Sequence, residues 1–190
     1  MRFEITFDYL CPFARNANEA VVEGFSRGRD WDVAFRPFSL AQVHVENDEP
    51  DVFADVTAPG ILALQWGVAV RDADPDRFPA AHVALFAARH DHGLDITDEA
   101  VIRAAVAETG VDVDAIADFV ASGTPAKTLE AEHVEAVERW QVFGVPTFIQ
   151  GDTATFIRFM SRGDVEDLDR ALEMLDWHDM NEFKRTVVPR

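Results

Sequence analysis

Cys11 is the only cysteine in a chain of 190 residues. Its setting, FDYLCPFARNANEA over residues 7–20, ends an apolar alternation and then runs at helical spacing. Pro12 suits the first position of a helix. A thiol just ahead of a helix meets unsatisfied backbone N–H groups and the positive end of the dipole, and both favour the thiolate. Cysteines so placed fall to a pKa of roughly 3.5–7.5, from about 8.5. Cys11 is therefore expected to be a nucleophile, supported by Pro12, Phe13 and Ala14 of the CPFA turn, although a buried structural cysteine is the plainer alternative. Ala14 limits the chemistry, because it cannot resolve a mixed disulfide as a second thiol would. A lone thiol so placed can take part in monothiol exchange with a small thiol, serve a transferase or isomerase that turns over no disulfide, or belong to a non-catalytic binding site.

Other residues are weaker candidates. Pro146 in VFGVPTFI begins an apolar strand although proline gives the ladder no hydrogen bond. That position suits a tight turn in which the Val145–Pro146 bond is cis. Trp66 and Phe13 can form an apolar wall for an aromatic substrate or simply belong to the core. His133 lies on the apolar stripe of its helix, as a packed or interface histidine would. Arg158 shares a strand face with Phe156 and Met160, as an edge residue or as the partner of an acid. His90 and His92 are spaced too closely to share a helix face, and no cysteine lies near them, so no metal site is expected. Without a glycine-rich phosphate loop, no nucleotide cofactor is indicated.

The elements that must position Cys11 emerge from periodicity. Phe3, Ile5 and Phe7 alternate as a strand. Ala14, Ala17, Val21 and Phe25 mark a helix closed by Gly24 and Gly28. Trp31, Val33 and Phe35 begin a strand over 31–38. Strand, helix, strand in so short a span reads as a parallel βαβ unit. From 45 to 142 helical signals take over: segments near 59–70, 77–91 and 112–121, one capped by Thr97, and one begun by Thr124-Pro125. Strands return at 146–150 and 153–160 around a Gly151-Asp152 turn, and Asp164 caps a last helix through Leu175. The expected division is a domain of 1–44 and 143–178, a helical insertion of 45–142, and a polar tail of 179–190.

CPFA at the head of the first helix and GVPTF before the hairpin together resemble the thioredoxin fold in its DsbA-like branch, an α/β fold of order βαβ…ββα with an all-helical insertion. FRPFSL at 35–40 further resembles kappa-class glutathione transferases and 2-hydroxychromene-2-carboxylate isomerases, which use one Ser or Cys in place of a pair. The resemblance implies a thiol-dependent oxidoreductase with a low-molecular-weight thiol, glutathione- or mycothiol-like, as co-substrate. A transferase or isomerase acting on a small aromatic compound is the alternative. It also implies that Val145 pairs backbone to backbone with the thiol, with Thr147 beside it. His44 and Asn47 would line the pocket, with a surface histidine the plainer reading of His44, and Arg162 and Asp164 of SRGD would hold the far end of the thiol. An ordinary helix cap is the plainer reading of Asp164.

The formal charge of −18 argues against nucleic acid and against anionic membranes as partners. A small-molecule substrate is expected, and a homodimer is compatible with the pattern. The N-terminal stretch alternates polar and apolar residues and lacks a signal-peptide core. A cytoplasmic location, where a lone thiol stays reduced, is the expectation.

Overall fold

The computed structural model describes residues 1–46, 49–177, 179 and 182. The tail from 179 onward therefore lies almost wholly outside the described residues. A β strand β1 (Arg2–Phe7) leads through the Cys11 turn into helix α1 (Pro12–Ser26) and strand β2 (Asp32–Pro37). Helices α2 (Leu40–Val43), α3 (Ile61–Ala73), α4 (Phe78–His90), α5 (Glu99–Ala107), α6 (Val113–Ala121) and α7 (Thr124–Trp140) come next. Strands β3 (Thr147–Gln150) and β4 (Thr153–Phe156) and helix α8 (Val165–Met174) complete the described elements. The sheet order is β2-β1-β3-β4, with β1 parallel to β2 and the other pairs antiparallel.

The alternation in β1 buries Phe3, Ile5 and Phe7. Phe3 meets Trp31 and Phe148, and Phe7 meets Phe78 and His82. Helix α1 packs on α4 and α8. On β2, Arg36 pairs with Glu4 of β1 and Glu135 of α7. Several boundaries differ from the sequence reading. Helix α1 runs through Gly24, which does not close it, to Ser26, and α3 begins and ends later than 59–70. Helix α5 is capped by Asp98, one residue beyond Thr97, because Thr97 is held in a turn by Asp95. The last strand ends at Phe156, not at residue 160. Beyond it the chain leaves the sheet for the first turns of α1, where the Asn16 side-chain amide donates to Phe159 O at 2.9 Å.

A buried polar chain ties the Cys11 turn to the insertion. Tyr9 Oη lies 2.9 Å from His82 Nδ1, and His82 Nε2 lies 3.1 Å from Asn18 Oδ1. The Asn18 amide donates to Ala14 O, so its Oδ1 is left to accept. His82 must therefore carry its proton on Nε2 and accept the Tyr9 hydroxyl at Nδ1. Gly67 of α3 allows this chain its space, since a Cβ there would collide with the Tyr9 ring and hydroxyl. None of the described helices is long and apolar enough to cross a membrane.

Candidate active site at Cys11

Cys11 is the N-cap of α1. Its backbone is extended (φ −94°, ψ 115°), Pro12 opens the first turn, and Sγ accepts the Ala14 N–H at 3.4 Å. The thiol in turn donates to Val145 O at 3.4 Å, and the Val145–Pro146 peptide is cis. Thr147 anchors that loop from below: its N–H donates to the buried Thr6 hydroxyl at 2.8 Å and its own hydroxyl to Gly144 O at 2.7 Å. The head of α1 and the loop before β3 thus face each other across one sulfur atom.

Sequence reasoning missed Asp8, which organises the turn. It is fully buried. Oδ1 accepts Leu10 N–H at 2.8 Å, Oδ2 accepts Leu40 N–H at 2.7 Å, and its carbonyl accepts Cys11 N–H at 3.0 Å. One carboxylate therefore joins the C-terminal ends of β1 and β2. The N-terminus of α3 closes over it at Gly60, where φ is +80° and a Cβ would sit 3.2 Å from Asp8 Oδ1. Burial pushes the Asp8 pKa up to about 6, against the pull of its two amide donors. The only sequence signal was an acid three residues ahead of the cysteine at the end of an apolar strand.

The expected thiolate is corrected by the structure. Burial pushes the Cys11 thiol above its ordinary value, and the Asp8 charge adds to this. The Ala14 and Phe13 amides and the Arg158 cation pull the other way and do not prevail. The helix amides act as expected, but their effect is smaller than the cost of charging a residue that is only 8% exposed.

The remaining candidates disperse. Phe13 sits beneath the Arg158 guanidinium, 4.7 Å from it. Trp66 is buried in α3 under Arg103 of α5, within the packing of the helical insertion. His44 is an exposed C-cap of α2, and Asn47 lies outside the described residues. Arg162 is engaged by Glu19 and Asp91, which Arg15 also pairs. Asp164 caps α8, accepting Asp167 N–H at 2.9 Å. His133 is buried, stacked on Phe38, and accepts Ser39 N–H at 3.1 Å. Arg158 makes no ion pair among the described residues, contrary to the acid-partner alternative. No group of three or more potential metal-ligating side chains occurs among the described residues. A groove along the outer edge of β2 is lined by Arg36, Arg71, Glu132 and Glu135. These charges neutralise one another, and none of its lining residues belongs to the Cys11 turn.

Ala14 is fully buried one turn from Cys11, at a Cα spacing of about 5–6 Å that a disulfide can bridge. Ala14→Cys is therefore expected to lose both free thiols under mild oxidant without forming a covalent dimer, as thiol titration and non-reducing electrophoresis would read. Two persisting free thiols would contradict the geometry.

Residues 62–173 match the model of the DSBA-like thioredoxin domain family, a span that includes Pro146 and excludes Cys11. No curated protein matches the sequence. Among solved structures, the chain is similar to a 2-hydroxychromene-2-carboxylate isomerase, at 20% identity and a TM-score of 0.65 over 92% of this chain and 96% of the other. It is similar to the cytosolic disulfide reductase DsbM from Pseudomonas aeruginosa with GSH, at 17% identity and a TM-score of 0.66 over 92% and 98%. The catalytic domain of Proteus mirabilis ScsC gives 20% and 0.59 over 90% and 81%. At these identities the likeness speaks to the fold, which is that of the DsbA-like thioredoxin proteins.

Proposed function

Because the chain belongs to the DSBA-like thioredoxin domain family, we propose that it is a thiol-dependent oxidoreductase working through Cys11 alone, with a low-molecular-weight thiol as co-substrate. The observation that carries this reading is the sulfur itself, bonded to the head of α1 on one side and to the carbonyl before cis-Pro146 on the other. In the reaction, the Cys11 thiolate attacks one sulfur of a disulfide. The S–S bond breaks, the departing thiolate takes up a proton, and Cys11 holds the other half as a mixed disulfide. With Ala14 at the resolving position, a small thiolate must attack the substrate sulfur of that mixed disulfide. The substrate half leaves as a disulfide with the small thiol and the Cys11 thiolate is regenerated; a second small thiol then frees that half as a thiol, and the symmetrical small disulfide forms. The two electrons come from the small thiols, and the cytoplasm is the compartment that supplies them.

The raised thiol pKa slows this chemistry without forbidding it. Each unit of increase lowers the thiolate fraction tenfold but raises intrinsic nucleophilicity about threefold, for a net loss of about threefold. The same observation favours a second reading. A thiol kept protonated can serve as a hydrogen-bond donor to the thiolate of a bound co-substrate, which suits transferase or isomerase chemistry on a small aromatic compound.

Two variants separate the readings. If Cys11 is the nucleophile, Cys11→Ser and Cys11→Ala both lose disulfide reduction with a small thiol, by a hundredfold or more. If it is a donor, Cys11→Ser keeps most of its thiol-dependent activity and only Cys11→Ala loses it. Undiminished activity in Cys11→Ala would overturn both.

A further inference from the structure

Arg158 is exposed, yet its backbone neighbours are pinned. Ile157 N–H donates to Pro146 O at 3.3 Å, and Phe159 O accepts the Asn16 side-chain amide at 2.9 Å. The residue is thus suspended between the cis-proline loop and the first turns of α1, the two segments that hold the sulfur. Its guanidinium lies over Phe13, two residues beyond Cys11, at 4.7 Å from the ring centroid. A cation over a π face is steadied there while its N–H donors remain available to a partner.

That availability runs against the composition. Acidic residues outnumber basic ones by 35 to 17. Arg15, Arg36, Arg71, Arg103, Arg139 and Arg162 each hold at least one carboxylate. Among the described arginines and lysines, only Arg89, Lys127 and Arg158 make no ion pair, and Arg158 is the one whose guanidinium lies over the CPFA turn. Asp8, the acid that acts on the same sulfur, already has its oxygens occupied by two amides.

We propose that Arg158 is the specificity-determining residue of the site, receiving a carboxylate of the incoming small thiol or disulfide, so that Cys11 serves acidic thiols in preference to neutral or cationic ones. The proposal rests on the oxidoreductase reading for its substrate, but the anion preference belongs to the site whatever the reaction. A small peptide thiol with free carboxylates fits Arg158, and a neutral sugar-linked thiol does not. Bidentate carboxylate binding is the interaction a guanidinium makes best.

The test compares carboxymethylation of Cys11 by iodoacetate with its carbamidomethylation by iodoacetamide, at pH 9 and low salt. Both reagents consume the same thiolate, so the ratio of their rates cancels any effect of Arg158 on ionisation. Relative to urea-unfolded protein, the folded wild type is expected to show an iodoacetate-to-iodoacetamide ratio raised at least threefold. Arg158→Gln should abolish the rise, Arg158→Lys should keep part of it, and 0.5 M salt, about a 4–5 Å screening length, should shrink it. An equal ratio in wild type and Arg158→Gln overturns the proposal. Parallel incubation with glutathione disulfide and 2-hydroxyethyl disulfide keeps the two ideas apart. If neither forms a mixed disulfide but the alkylation ratio still depends on Arg158, the oxidoreductase reading fails and the anion subsite stands. If both disulfides react equally in wild type and variant, the subsite fails and the reading stands.

Discussion

Taking the protein from pH 7 to pH 4 is expected to cost about 4 kcal/mol of folding stability. His82 and His133 are both buried. Burial holds His82 at about 3 and His133 at about 4, against an ordinary 6.5, with Asp51 pulling His133 slightly back. A depressed folded-state pKa means that the unfolded chain binds protons first. The stability these groups contribute is full above 6.5 and is lost as the pH falls toward the folded values. Together they account for a loss of about 6 kcal/mol by pH 4. Asp8 acts in the opposite sense. Its raised value, about 6, means that the folded state takes up the proton first, so acidification through 6 toward 3.8 returns about 2 kcal/mol. The histidines win because there are two of them and each is displaced further. The relief of self-repulsion in a chain of charge −18 softens the slope without reversing its origin. A loss of this size is a large share of the 5–15 kcal/mol typical of a domain. Urea unfolding at a series of pH values would read it as a midpoint that falls steadily below pH 6.5. A midpoint that holds or rises down to pH 4 would contradict it.

Cys11 is expected to be a slow thiol in the empty protein. A free thiol is about 3% ionised at pH 7, and burial with the Asp8 charge keeps Cys11 below that fraction. Its alkylation by iodoacetamide should therefore run several-fold slower at pH 7 than in the urea-unfolded chain. The rate should still be climbing at pH 8.5, where an ordinary thiol begins to level. Asp8→Asn removes the adjacent charge and should shift the profile toward lower pH. A profile that levels below pH 7.5 would mean that the amides of Ala14 and Phe13 outweigh burial after all.

The sequence carried the framework well. Alternation at Phe3, Ile5 and Phe7, helical spacing after Cys11, and a proline heading a strand are local signals, and their order is enough to bring CPFA opposite GVPTF. The features that escaped are set by contacts remote in sequence. Asp8 matters because Leu40 donates to it from beyond β2. Arg158 matters because the chain leaves the sheet after Phe156, where apolar alternation suggests that the strand runs on. The sign of the Cys11 shift escapes for the same reason. The helix amides that favour a thiolate can be read from Cys-Pro, whereas the depth at which the loop buries the sulfur cannot. Whether Trp66 lines a pocket or packs in the core, and whether Arg162 is free for a ligand, cannot be read from their neighbours in sequence. Arg103 of another helix covers the first, and Glu19 and Asp91 engage the second.

The central claim, that one thiol beneath the cis-proline loop exchanges with small disulfides and has no partner to resolve it, is tested most directly by intact-mass spectrometry after incubation with glutathione disulfide. The expected result is a single glutathionyl adduct on Cys11. It should persist after the disulfide is removed, be cleared by added small thiol, and be absent from Cys11→Ser. A Cys11 that stays unmodified in the folded protein, while the unfolded chain exchanges fully under the same conditions, would contradict the claim.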